Sequence, residues 1–385
     1  MEPIYQRHLR GSDMRIFLRQ IFLTAVLAGL ATQAMAAEFV TVGPRASGMG
    51  GAGVAITTDA LATYWNPAGL AMTQTVDIRA QVGGQAIDRR GFGEAIRDLE
   101  DFNSSDPAAA ARAQDIATRL NQPGANLSVN GSAGLYIKGH FGEHAFGLNL
   151  SDVATGGGYL STPLGVTAGP SVAGTMTLLG LEARQASLSY AYAFADKTFS
   201  IGVTGKIIQG AAYSGTVALQ GGHGVTISNN FGKPTISTTY GIDVGAIYKP
   251  TSWIRFGIVA RDINKPVLDD SRGGEIKLDP QIRGGIAINP YSTLTLTADV
   301  DITANRTILP DVKSQLLSLG AEQTLLSEFL SLRIGTFKNM KDAATPFIPT
   351  AGFGLRIFFF RADVGGGYDF REQGALVSGS ISTTF

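Results

Sequence analysis

The chain has 385 residues, of which 31 are basic and 31 acidic, with 49 glycines, no cysteine and only 16% charged residues. The lack of cysteine excludes disulfides, thiol chemistry and cysteine metal sites, and a neutral balance without a basic block excludes the electrostatic footprint of nucleic-acid binding. A single soluble core of this length would carry more charge, and the glycines lack the strict period of a collagenous chain.

Residues 15–36 carry the parts of an export signal. Arg15 and Arg19 form a basic region, Ile21 to Leu30 an apolar one, and Ala34-Met35-Ala36 an A-x-A exit, predicting cleavage near Ala36. Met14 reads as the natural start, so residues 1–36 are set apart as a leader. Taking them away removes four Arg and two acidic residues, leaving 27 basic against 29 acidic. The apolar run is too short for a spanning helix, and no other stretch of 18 apolar residues occurs.

Residues 37–74 are predicted to be a lumenal hatch preceding the first strand, with tight glycine turns and small side chains. From residue 75 onward, period-two alternation dominates. In 291–302, Leu294, Leu296, Ala298, Val300 and Ile302 share one face, and Thr293, Thr295, Thr297, Asp299 and Asp301 the other. Residues 187–194 and 199–208 alternate in the same way, and one such face meets an apolar phase.

The pattern predicts fourteen strands, near 75–87, 126–138, 141–153, 182–195, 198–212, 236–249, 252–264, 280–289, 291–302, 314–325, 329–337, 349–356, 358–369 and 373–385. Short connections alternate with long ones at 88–125, 154–181, 213–235, 265–279, 303–313 and 338–348, as periplasmic turns alternate with extracellular loops. The last predicted strand runs to Phe385. The fold class is therefore all-β, a 14-stranded antiparallel transmembrane β-barrel over 75–385, with export signal and terminal Phe placing it in the outer membrane of a Gram-negative bacterium. Within 92–121, Ile96, Leu99, Ile116 and Leu120 recur at helical spacing and Asp106-Pro107 marks a helix start, predicting two short helices in the first extracellular loop. They cap a substrate mouth or shield the barrel rim. Segment 154–181, with Gly156-Gly157-Gly158, is predicted as a second piece of that lid.

The most specific motif is Gly48-Met49-Gly50-Gly51, then Asp59, then Trp65-Asn66-Pro67-Ala68-Gly69. It resembles the FadL superfamily of outer-membrane transporters for long-chain fatty acids and aromatic hydrocarbons, and more closely the TraF-like and PorV-like branches. The resemblance implies an N-terminal hatch inside a fourteen-stranded barrel, with Asn66, Pro67 and Ala68 as the hatch run. The thiol-redox role sometimes attached to the TraF name is excluded by the absence of Cys.

Side-chain parity projects Lys206, Arg255, Arg261, Arg283, Arg333, Arg356 and Arg361 into the lumen, with Asp243, Asp299, Asp301, Glu322 and Asp363. These form a paired network holding the hatch, or a surplus cation among Arg255, Arg261 and Arg283 meets the carboxylate of an amphipathic substrate. Trp253, Tyr240, Tyr248 and Tyr291 fit an interfacial girdle. Phe358-Phe359-Phe360 breaks alternation, as a bend, a turn or an entrance in the wall. Gly221-Gly222-His223-Gly224 reads as a flexible loop and not a metal site.

Enzymatic motifs of the H-E-x-x-H, G-x-S-x-G and P-loop kinds are absent; a lipase-like site would need His144 near Ser151 or Ser128. No enzyme activity, cofactor, metal or nucleic acid is expected. The expected function is passive transport of hydrophobic or amphipathic small molecules such as long-chain fatty acids. The alternative is a structural or secretion-associated barrel binding a surface or periplasmic protein. Outer-membrane lipid is the expected surrounding in both cases.

Overall fold

Each of the fourteen predicted strands forms, and together they close a barrel. The computed structural model describes residues 39–167, 171–221 and 232–385; the predicted export signal, the Met14 start and the Gly222-His223-Gly224 run lie outside them. The wall strands are β1 (Asp77–Arg89), β2 (Asn126–Phe141), β3 (His144–Thr167), β4 (Ser171–Phe194), β5 (Phe199–Gln220), β6 (Thr235–Tyr248) and β7 (Ile254–Arg261). They continue as β8 (Gln281–Tyr291), β9 (Leu294–Asp301), β10 (Leu316–Leu325), β11 (Leu330–Asn339), β12 (Ile348–Ile357), β13 (Phe360–Asp369) and β14 (Gly374–Thr384). Neighbours in sequence pair antiparallel, and β1 pairs with β14, from Asp77 opposite Thr384 to Ala86 opposite Ala375. Closure leaves no sheet edge within the wall, so its backbone groups are satisfied without water.

The outward positions form an apolar belt: Phe146, Leu188, Ile207, Ile334 and Ile381 are all exposed. Tyr248, Trp253 and Tyr291 are exposed near the short-turn ends of their strands and Tyr240 higher on β6, as a girdle requires. Phe358 and Phe359 make the turn between β12 and β13, with Phe358 at φ 54°. A closed barrel wrapped in such a belt is an outer-membrane protein of a Gram-negative bacterium.

One expectation is overturned. Residues 154–167, 171–181 and 213–220 are not loops: β3 and β4 run for 24 residues each and β5 for 22. About ten residues cross the outer membrane, so these three strands rise well beyond it as a twisted sheet. Both faces of that extension are covered. On its outward face lie two helices, α3 (Phe92–Glu100) and α4 (Ala109–Leu120), which bury Phe92, Leu99, Ile116 and Leu120 against Leu164, Met176, Leu178 and Leu219. On its inward face, small hairpins at Val267–Lys277 and Asn305–Ser314 bury Leu268, Ile276 and Leu309 against Leu179, Leu181 and Ile208.

Residues 43–72 lie inside the barrel. They form α1 (Pro44–Gly48), α2 (Ala62–Trp65) and a 3-10 turn (Pro67–Met72), and nearly all of them are buried. The wall admits them through missing side chains. A Cβ at inward-facing Gly147, Gly202, Gly245, Gly257, Gly320, Gly335 or Gly365 would overlap Thr63, Pro67, Asn66, Val54, Met49, Gly50 or Pro44. Those glycines come from strands spread between β3 and β13, so the segment touches the wall most of the way around.

Candidate functional site: a filled lumen and an outward cavity

The lumenal segment is fixed by charge and by hydrogen bonds. Arg333, on β11, is fully buried between Glu322 (2.6 Å) and Asp363 (2.7 Å). Glu322 also takes Arg45 of α1 at 2.6 Å. Arg79, on β1, reaches Asp59 of the segment at 3.1 Å and Asp77 at 3.5 Å. A second cluster joins Lys206 to Asp243 (2.8 Å) and Asp262 (2.9 Å). Asp299 Oδ2 accepts from the backbone N–H groups of Gly53 (2.7 Å) and Val54 (2.8 Å), clamping the glycine turn to β9.

Each candidate residue has a defined place. Asn66 is fully buried; its Nδ2 donates to the carbonyls of Val54, Ala246 and Ile258, and its Oδ1 accepts from Ala68 N–H. Pro67 opens the 3-10 turn, where its missing N–H costs nothing. The Ala68 carbonyl accepts from Ser200 Oγ at 2.8 Å. The Asn-Pro-Ala run therefore stitches the segment to β5, β6 and β7.

The three arginines differ. Arg283 pairs with Asp301 at 2.5 Å and lies 4.1 Å from the Phe39 ring centre. Arg261 lies 4.2 Å from the Tyr64 ring centre and 3.9 Å from Asp243. Phe39, Tyr64 and Trp65 pack on one another, so these two guanidinium groups sit over an aromatic cluster of the segment, a desolvated cation–π arrangement. Arg255 is half-buried, donates to the Ala55 carbonyl at 3.2 Å, and makes no ion pair with a described residue.

Several lumenal charges escaped the sequence reading: Arg79, Asp77 and Lys138 were all available from the parity of β1 and β2. Lys138 is buried, and its Nζ donates to Thr58 O (2.8 Å), Thr73 O (3.0 Å), Thr73 Oγ1 (2.5 Å) and Thr75 Oγ1 (3.3 Å). Lys138→Met strands those acceptors at a cost of about 1–3 kcal/mol. Faster hydrogen exchange confined to residues 57–76 is the expected result, read by mass spectrometry; unchanged exchange there would remove Lys138 from the set of anchors.

Two cavities flank this arrangement. Inside the lumen, beside Phe39 and Val40, is a space of about 40 Å³ lined also by Arg89, Phe337, Asn339 and Glu372. Burial, with Asp342 and Asp369 near and against the pull of Arg89, raises the Glu372 carboxyl above its ordinary range. The second cavity is about 810 Å³ and lies under α3, with Phe92, Ile96, Val129, Met176, Leu178 and Tyr213 around a floor of Gly156, Gly158 and Gly180. It is large enough for a small ligand and mostly apolar, with Asp88, Arg97, Glu100 and Gln373 as its polar members.

The lipase-like arrangement does not form. His144 faces outward, with Nδ1 2.8 Å from Tyr190 Oη, whereas Ser151 is buried on the opposite face of β3 and Ser128 lies on the inward face of β2.

A family model described as F plasmid transfer operon, TraF, protein matches residues 63–301. Among solved structures, the Ralstonia pickettii toluene transporter TbuX superposes with a TM-score of 0.56 at 15% identity, covering 89% of this chain and 97% of that one. The CymD monoaromatic hydrocarbon channel gives 0.54 at 15% identity, covering 91% and 98%. The P. putida toluene transporter TodX gives 0.53 at 11% identity, covering 90% and 98%. At these identities the likeness is one of fold. No curated protein matches the chain in sequence.

Proposed function

The chain belongs to the family described as F plasmid transfer operon, TraF, protein, and from the likeness of its barrel to hydrocarbon channels we propose that it passes hydrophobic or amphipathic small molecules across the outer membrane without an energy source. The resemblance to the TraF-like branch is borne out by the family match over residues 63–301, and the fold is shared with hydrocarbon channels. The observation that carries the transport reading is the likeness in fold to two toluene transporters and a monoaromatic hydrocarbon channel, and the apolar cavity of about 810 Å³ under α3 is a surface site where such a molecule would first be held. A cavity of that size with few polar groups captures an apolar molecule and orients it by one end. Residues 43–72 act as the hatch, with Asn66, Pro67 and Ala68 as the run that anchors it to the wall. Of the three arginines, Arg255 is the one we assign to a cargo carboxylate, since Arg261 and Arg283 already face Asp243 and Asp301. Long-chain fatty acids and apolar aromatic compounds are the classes to test.

The experiment is uptake into vesicles holding the purified barrel, with a labelled long-chain fatty acid and a labelled apolar aromatic compound. Saturable uptake of either supports transport, and weaker uptake of the fatty acid alone in Arg255→Ala supports the carboxylate contact. No uptake of either by a folded barrel would sink the assignment. A second reading, a scaffold for a protein partner, is favoured by one observation: half-buried Arg45 and Asp59 of the segment pair with Glu322 and Arg79 buried in the wall, and only about 40 Å³ is left beside Phe39.

A further inference from the structure

The cavity under α3 lies on the outside of the wall. Most of its strand residues, among them Ala86, Leu127, Val129, Leu178 and Tyr213, share the outward register, while Gly157 and Leu179 at its floor belong to the inward one. The inward face behind its floor is stopped, since a Cβ at Gly157 would press on Leu309 at 2.9 Å.

The two flanks of the cavity differ. Over β3 and β4 the outward positions below the floor carry Asp152, Glu182 and Arg184, with Arg184 3.5 Å from Asp152 and 2.6 Å from Glu182. Such a row stands at the edge of the hydrocarbon. Over β1, β2 and β14 the outward positions below the cavity are Val82, Ala133 and Val377, with Val82 63% and Val377 64% exposed. The cavity thus runs without a polar break into the lipid-facing belt on that flank.

Its rim has one uncommitted charge. Asp88 accepts from Gly93 N–H (2.8 Å) and Glu94 N–H (3.3 Å), and Glu100 is engaged as well. Arg97 is exposed and lines the cavity, its neighbour Asp98 is taken by Arg119, and no described residue gives Arg97 an ion pair.

We propose that the cavity holds an acyl chain of a phosphate-bearing lipid of the outer leaflet, with the phosphate at Arg97. This rests on the reading that the cavity binds apolar molecules, and adds their source and headgroup. The chain reaches the cavity along β1 and β2, and the guanidinium supplies charge-assisted hydrogen bonds to the phosphate.

The test is photolabelling of the full barrel in nanodiscs, using phosphatidylglycerol with a photoactivatable acyl chain and the same chains on uncharged diacylglycerol. Labelling of peptides holding Val129 and Met176–Gly180 by phosphatidylglycerol is expected. Gly180→Leu fills the cavity, because a Cβ there meets Tyr213 at an ordinary 3.5 Å, and should abolish that labelling. Arg97→Gln, on an exposed helix position that folding does not need, should weaken phosphatidylglycerol labelling about tenfold, the scale of one charge-assisted hydrogen bond. Diacylglycerol labelling should stay the same in Arg97→Gln. Labelling that survives Gly180→Leu, or that is equal for the two headgroups, overturns the proposal. Uptake of the apolar aromatic compound in parallel vesicles separates the two readings: lost uptake with labelling intact removes transport and leaves the lipid site standing.

Discussion

Replacing Arg333 by Met is expected to lower the unfolding free energy of the barrel by about 3–5 kcal/mol, because Glu322 and Asp363 are then left buried with a cation missing. The side chain of Arg333 is fully enclosed, and both partners lie under 3 Å away. The measurement is a urea titration of the folded barrel in detergent, read by the heat-modifiable gel shift. Glu322→Gln added to Arg333→Met should recover only part of the loss, because Arg45 loses its own carboxylate in the process. Full additivity of the two changes would mean that the pair is not coupled.

The second large effect concerns the close approach of segment and wall. Gly50 has φ +68°, and a Cβ there would overlap the carbonyl oxygens of Thr336 and Leu319. Both obstacles are backbone in the wall, so neither can swing aside. Gly50→Val should therefore unseat residues 43–72 while the fourteen strands still close. Proteolysis of residues 39–76 in a barrel that keeps its gel shift is the expected readout, with efflux of a trapped dye from vesicles rising alongside it. If the segment stays protected, its seating does not depend on this contact. If it is cleaved and the dye stays in, the segment is not what blocks the lumen.

Much of this architecture could be read from sequence because a barrel wall has two unlike faces. Leu294 to Ile302 alternate since lipid lies on one side and a charged lumen on the other, and the same contrast placed Arg283, Arg333 and Asp299 inward. The reading failed where that contrast vanishes. Leu178 meets the helix pair on the outward face and Leu179 meets the hairpins on the inward face, so 176–181 is apolar at both parities and passed for a loop. Gly156-Gly157-Gly158 misled for a related reason, since those glycines are floor and wall, not a turn. The helices at 92–121 were legible because α3 and α4 each bury one stripe. At the candidate site, parity showed which arginines point inward. It could not show that Arg261 and Arg283 stand over Phe39 and Tyr64, because those contacts join residues far apart in sequence.

The bare-glycine wall also constrains the order of assembly. The seam that closes the barrel joins β14 to β1, and β1 follows directly on the segment. Val76 and Phe385 exchange backbone hydrogen bonds just below that seam, at 3.0 and 2.9 Å. Once β1 and β14 have zipped, the segment is enclosed by strands it fits too tightly to be threaded through. It must therefore be wound in while the sheet is still open, and the curling strands close around it as around a mandrel. In the native order the seam is thus the last joint to form, and it joins the two ends of the wall that lie farthest apart in the chain.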